Sequence, residues 1–152
     1  MKRPGPDKLL LLLISLTLLF IWSNSAMSRE VSSGMSNGLL ELLRPVLAFV
    51  GIEPESDHLL RKLAHFCEFF ALGFELRLYF LLKGKKRTMD IFSCAFLSFA
   101  AATIDETIQF FSGRDSKFMD VLLDFSGAVT AIVFISIACY VHKKLKEKRS
   151  DA

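Results

Sequence analysis

Four apolar stretches, with the charged residues crowded between and beside them, constrain this 152-residue chain more than any other feature. They cover about residues 9–27, 63–82, 90–111 and 121–141. A helix of about 20 residues, rising 1.5 Å per residue, crosses a hydrocarbon core about 30 Å thick. The last three stretches have that length. The first, LLLLLISLTLLFIW, is shorter and needs Ser23 to Met27 to complete a span at the interface. Its basic start MKRPGPDK and the small residues SNSA after it also fit a cleaved signal peptide. The pattern predicts an all-α integral membrane bundle of four transmembrane helices, with one membrane domain over residues 1–152 and a basic tail over 142–152.

Lys and Arg placement sets the expected orientation. Lys2, Arg3 and Lys8 precede the first stretch, and Lys83, Lys85, Lys86 and Arg87 separate the second from the third. Lys143, Lys144, Lys146, Lys148 and Arg149 follow the fourth. These regions alternate to one side, so both termini are expected in the cytoplasm of a multi-pass protein of the cell membrane. Residues from about Ser23 to Arg61, and the short SGRDSKFMD loop, then lie outside. Within the long loop, GLLELLRPVLAFVGI repeats apolar residues at Leu39, Leu42, Leu43, Val46, Leu47 and Val50. That spacing predicts a short amphipathic helix, bent or interrupted near Pro45, that lies on the outer leaflet or caps the bundle.

The net charge of +3 is small, and the basic residues flank apolar runs, which argues against nucleic acid as a partner. Cys67, Cys94 and Cys139 lie singly in apolar surroundings without ligand spacing and are expected to be small buried hydrophobes.

Polar residues recur at the expected outer ends of three helices. Arg61, His65 and Glu68 share a face at i, i+4 and i+7. Asp105 and Gln109 are four apart, and Glu106 and Gln109 three apart; Asp120, Asp124 and Gly127 repeat the first spacing. Glu68, Glu106 and Asp124 each fall about 5–8 Å inside their helix ends at helical rise. Arg61, Lys62, His65, Arg114 and Lys117 thus meet Glu68, Asp105, Glu106, Asp120 and Asp124 in one layer. Each charge placed in hydrocarbon costs about 2.5–3.5 kcal/mol on insertion scales.

Two explanations fit this layer. Ion pairs and hydrogen bonds can hold a bundle together where lipid gives no hydrophobic drive. Alternatively the layer is a site, which its excess of polar groups favours. Arg61 and Arg114 suit a phosphate or carboxylate headgroup. Crowded carboxylates and an imidazole suit proton transfer, with His65 and Glu106 the candidate catalytic residues. His65, Glu68, Glu106, Asp120 and Asp124 include metal-ligand types, but no HExxH or comparable spacing, so neither metal nor cofactor is assigned. Deeper in the second stretch, Arg77 is close enough to the inner end to be able to snorkel, and Glu75 is expected to be neutral or bonded to Ser98 or Thr103.

RKLAHFCEFFALGF resembles the first signature of the VanZ-like family of bacterial membrane proteins: a basic residue, His-Phe, then Glu and Leu-Gly. DETIQFFSGRDSKFMDVLLDFSG resembles its second: Glu, Gln three residues on, Gly-Arg, then Asp residues before Gly. The Ser-rich stretch WSNSAMSREVSSGMS is similar to the one that follows helix one in that family, which implies that helix one is retained. The resemblance carries the family's polar positions to Arg61, Lys62, His65, Glu68, Glu106, Gln109, Gly113, Arg114, Asp120, Asp124 and Gly127. Phe69 stands where Tyr is common, Ser112 where Pro is frequent, Ala131 where a second Gly falls, and Glu75 where an apolar residue is expected.

The resemblance implies low-level resistance to teicoplanin-type glycopeptides in a Gram-positive host, without fixing a biochemical activity. The function expected is binding of a membrane lipid headgroup, a lipid-linked cell-wall precursor or a glycopeptide antibiotic. The ligand-binding set is Arg61, His65, Glu68, Glu106, Gln109, Arg114, Asp120 and Asp124. The alternatives are an envelope enzyme acting on a lipid-linked precursor and a structural membrane subunit.

Overall fold

A computed structural model describes residues 5–49, 57–84 and 87–150. The regular elements among them are α-helices: α1 (Pro6–Ser25), α2 (Arg29–Phe49), α3 (Asp57–Lys83), α4 (Arg87–Phe111) and α5 (Phe118–Ser150). Local sequence explains their ends. Pro6 and Asp7 open α1 where a missing N–H and a negative charge both suit a helix start. Gly84, at φ 64°, follows the last residue of α3.

α1, α4 and α5 are long and apolar enough to cross a membrane. Large apolar side chains cover their outer surfaces, among them Leu12, Leu16, Phe96, Phe134 and Ile137. α3 has the length, at 27 residues, but carries more charge. It packs against all four other helices, and most extensively against α5. Its Glu75 and Arg77 are therefore buried among neighbouring helices.

α1 and α3 run antiparallel in a regular register. Asn24 pairs with Glu68, and Thr17 with Glu75, seven residues along each helix. At the far end Lys83 Nζ donates to Asp7 Oδ2 at 2.9 Å, a hydrogen bond that holds Lys83 above the usual lysine range. α3 and α5 run side by side in the same direction, linked by Lys62–Asp120 near one end and Arg77–Ser136 near the other. Between these links two glycines set the closeness of the pair. A Cβ on Gly73 would lie 2.5 Å from the Ala128 carbonyl oxygen, and one on Gly127 would collide with the Phe66 carbonyl oxygen. Phe69, Leu72, Ala128 and Ile132 fill the core around this contact.

Several local expectations change. α2 begins at Arg29, well before the anticipated segment, and is continuous through Pro45, so of the bend or interruption expected there the interruption is absent. A helix tolerates the missing N–H where the freed carbonyl is near water; Glu41 and Arg44 beside it are exposed and ion-paired at 2.9 Å. Leu39, Leu43, Val46, Leu47 and Val50, most of the expected apolar face, lie outside the described side chains. Lys2, Arg3, Lys85 and Lys86 also lie outside the described residues. α5 extends the helix through the basic tail to Ser150, where Lys148 and Arg149 suit the negative end of its dipole. Cys94 is buried as expected, but Cys67 is exposed on α3 and Cys139 half-buried.

Arg77 does not snorkel. It is 1% exposed, and its Nε donates to Ser136 Oγ at 3.1 Å. Glu75 takes its hydrogen bond from Thr17 of α1, at 2.9 Å. Thr103 instead bonds the Phe99 carbonyl of its own helix.

Candidate functional site

The C-terminal ends of α1 and α4 meet the N-terminal ends of α3 and α5 at one end of the bundle. A cavity of about 160 Å³ opens there. Arg61, His65, Glu106, Gln109, Arg114, Asp120 and Asp124 line it, together with Lys62, Asp115 and Lys117. Of the ligand-binding set expected from the sequence, only Glu68 is outside the lining; it lies next to His65, with Glu68 Oε2 3.7 Å from His65 Nδ1.

The loop between α4 and α5 is built by its glycine. Gly113 adopts φ 73°, two residues past the end of α4. The Arg114 N–H then bonds the Gln109 carbonyl at 3.0 Å, and the Gly113 N–H the Phe110 carbonyl at 3.2 Å. This double closure satisfies the last carbonyls of α4 and folds Arg114 back over the helix end. Arg114 Nη1 lies 3.4 Å from the Asn24 carbonyl oxygen of α1. Three residues on, the Lys117 N–H donates to Glu106 Oε2 at 3.2 Å. A buried carboxylate of α4 therefore fixes the entry into α5, a role that its position in the sequence does not display.

Two polar contacts brace the walls. Lys62 Nζ and Asp120 Oδ1 form an ion pair at 3.1 Å between α3 and α5. Gln109 Nε2 donates to Asp105 Oδ2 at 2.8 Å, one turn apart on α4.

Beneath them the polar groups are less well matched. Asp105 and Asp124 are 0% and 1% exposed. Asp105 Oδ1, Asp124 Oδ2, Glu68 Oε2 and His65 Nδ1 are buried without a hydrogen-bond partner. His65 Nδ1 is 3.8 Å from Asp105 Oδ2, too far for a hydrogen bond. His65, Asp105 and Asp124 each offer a ligand-type atom, and these atoms lie within 4.8 Å of one another. Clustered carboxylates without partners repel one another and are costly to bury unless a cation or proton joins them. The layer thus combines cations on its wall with carboxylates at its base that each leave one buried oxygen without a hydrogen-bond partner.

The sequence alone omitted α1 from this site. Asn24 Nδ2 donates to Glu68 Oε1 at 3.1 Å, and Ser25 is fully buried. The Ser-rich run after the first apolar stretch was the available signal, because polar residues at a span's end need a reason to face inward. Asp105 belongs to the polar layer expected from the sequence but not to the expected ligand-binding set. Its burial at the centre of the cluster depends on packing between helices, which spacing along one helix does not report.

The chain matches the VanZ/LLP1 family model over residues 9–139, and it belongs to that family. The match includes both polar signatures and the apolar helices, so this is a VanZ-like membrane protein. No curated protein and no solved structure matches it significantly.

Proposed function

We propose that this VanZ/LLP1 family member is a single membrane domain of four crossing helices, α1, α3, α4 and α5, whose cavity holds the phosphate of an anionic headgroup at the outer leaflet. The observation that carries this reading is the cavity itself, with Arg61, Arg114 and Lys117 on its wall at one end of the bundle. Guanidinium forks match phosphate oxygens in pairs, and a lysine adds a compact charge.

The burial of α3 supports its crossing as the central helix. Its Glu75 and Arg77 face other helices instead of lipid, as intramembrane charges do. Basic residues support the orientation. Lys83, Lys143 and Lys144 lie toward the end opposite the cavity, and cytoplasmic ends carry the excess of Lys and Arg. Both termini are then cytoplasmic, and the membrane is the cell membrane of a Gram-positive bacterium.

Size narrows the ligand. Cavities that enclose drug-sized molecules measure about 300–1,000 Å³. At about 160 Å³, this one suits a phosphate headgroup and excludes the body of a glycopeptide. Tolerance to teicoplanin-type drugs, which the family's name suggests, then works indirectly. Holding a phospholipid or a lipid-linked wall precursor changes what the drug meets at the membrane.

The cellular test is teicoplanin and vancomycin susceptibility in a susceptible Gram-positive host with matched membrane levels of wild type and Glu106→Gln. Glu106 anchors the start of α5, and the near-isosteric amide weakens that anchor. Raised teicoplanin tolerance with wild type, reduced in the variant, supports the reading. Equal protection by both proteins makes the charge of Glu106 dispensable, and no protection removes the resistance role in that host.

A further inference from the structure

We propose that His65, Asp105 and Asp124 bind one borderline divalent cation, Zn²⁺ or Mn²⁺, at the base of the cavity. Their ligand-type atoms lie within 4.8 Å of one another. Ligands about 2.0–2.2 Å from a tetrahedral ion are about 3.4 Å apart. Closing the set therefore takes roughly an ångström of movement, within the range of small side-chain rotations.

An independent observation points to a cation. Asp124 faces the cavity, is 1% exposed, and has a buried Oδ2 without a hydrogen-bond partner. Asp105, fully buried, has an Oδ1 in the same condition. The nearby Lys62 does not fill this need, because it is paired with Asp120 at 3.1 Å. A divalent ion balances two carboxylates and gives their oxygens a partner at once.

The donor types select the ion. One imidazole among carboxylates disfavours Ca²⁺ and Mg²⁺, which prefer oxygen alone, and the absence of a thiolate in the set disfavours soft Cu(I). Glu68 Oε2, 3.7 Å from His65 Nδ1 and also without a hydrogen-bond partner, is a further oxygen beside the set. His65 and Asp124 line the cavity, so an open coordination position would point into it. The cation site stands without the headgroup reading. Only its consequence rests on that reading: neutralised carboxylates compete less with phosphate for the cations on the wall.

The test uses the full chain in lipid-free detergent, stripped with chelator, exposed separately to Zn²⁺ and Mn²⁺ at micromolar free ion, desalted, and assayed by elemental mass spectrometry. Wild type is expected to retain about one ion per chain, as a built site does. Asp124→Asn and Asp105→Asn should each lower the affinity by about tenfold or more. Glu147→Gln, on the exposed end of α5, reports non-specific retention by acidic residues. Ion-dependent thermal stabilisation of wild type that is absent in both Asp variants gives a second readout. No retention by wild type above background, or equal retention in both Asp variants, overturns the proposal. Phosphatidylglycerol binding by the stripped protein is measured separately, so a failed cation site and a failed headgroup site give different results.

Discussion

Asn24 Nδ2 of α1 donates a hydrogen bond to Glu68 Oε1 of α3 at 3.1 Å. This bond joins the end of the first helix to the acidic layer of the central one. Asn24→Ala removes the donor and leaves a partly buried carboxylate oxygen unmatched. A loss of about 1–2 kcal/mol is expected, because an unsatisfied buried polar group forfeits its hydration without compensation. Thermal unfolding in detergent measures it, and Asn24→Asp should be worse because it sets a second carboxylate against Glu68.

Gly127 and Gly73 set the distance between α3 and α5. Gly127→Ala places a methyl group against the Phe66 backbone carbonyl, which a rotamer change cannot relieve. Destabilisation of about 1–3 kcal/mol is expected, as for other overpacked contacts. Gly34→Ala, where an added Cβ meets nothing within 4 Å, should be close to neutral. Comparable midpoints for the two variants would contradict this account of the α3–α5 contact.

Gly113 makes the turn that aims Arg114. A side chain at its φ of 73° strains the backbone by about 1–2 kcal/mol. Gly113→Ala should therefore lower both the unfolding midpoint and phosphatidylglycerol retention. Gly113→Asn should recover part of both, because Asn tolerates the left-handed region better than Ala. Full headgroup retention by Gly113→Ala would separate Arg114 from this turn.

The deeper contact between Thr17 and Glu75 has a matching contrast at the helix ends. Thr17→Val preserves shape and removes the donor to Glu75 Oε1, at an expected cost of about 1–3 kcal/mol. Lys83→Gln breaks an exposed ion pair with Asp7, and such pairs contribute little in water. Its midpoint should match wild type. A larger loss for Lys83→Gln than for Thr17→Val would reverse the importance assigned to the two ends of this register.

Hydropathy made much of this architecture legible, because the segments are long and their charges sit at few places. Helical spacing also brought Arg61, His65, Glu106 and Asp124 toward one layer without any view of the packing. Periodicity reports which residues share a face, but not what lies opposite. For that reason the sequence offers Glu75 a neutral state or a partner in Ser98 or Thr103 when its bond comes from Thr17, and lets Arg77 snorkel when Ser136 lies across the α3–α5 contact. An interruption at Pro45, one of the two outcomes expected there, follows from the local cost of proline, which an exposed helix end tolerates. The contribution of Asn24 and Ser25 depended on the antiparallel register of α1 and α3, a tertiary fact with no local sequence equivalent.

The most direct test of the headgroup site is native mass spectrometry of the chain released from micelles carrying equal amounts of phosphatidylglycerol, undecaprenyl phosphate and phosphatidylcholine. Wild type, Arg61→Gln, Arg114→Gln and the double variant would be compared at matched folding. The account predicts that wild type retains the two anionic lipids over phosphatidylcholine, with the preferred one of the two identifying the source of the phosphate. Each single variant should retain them about tenfold less, a loss equivalent to about 1.4 kcal/mol, and the double variant should show no preference. Equal retention of all three lipids by wild type, or unchanged anionic selectivity in the double variant, would contradict it.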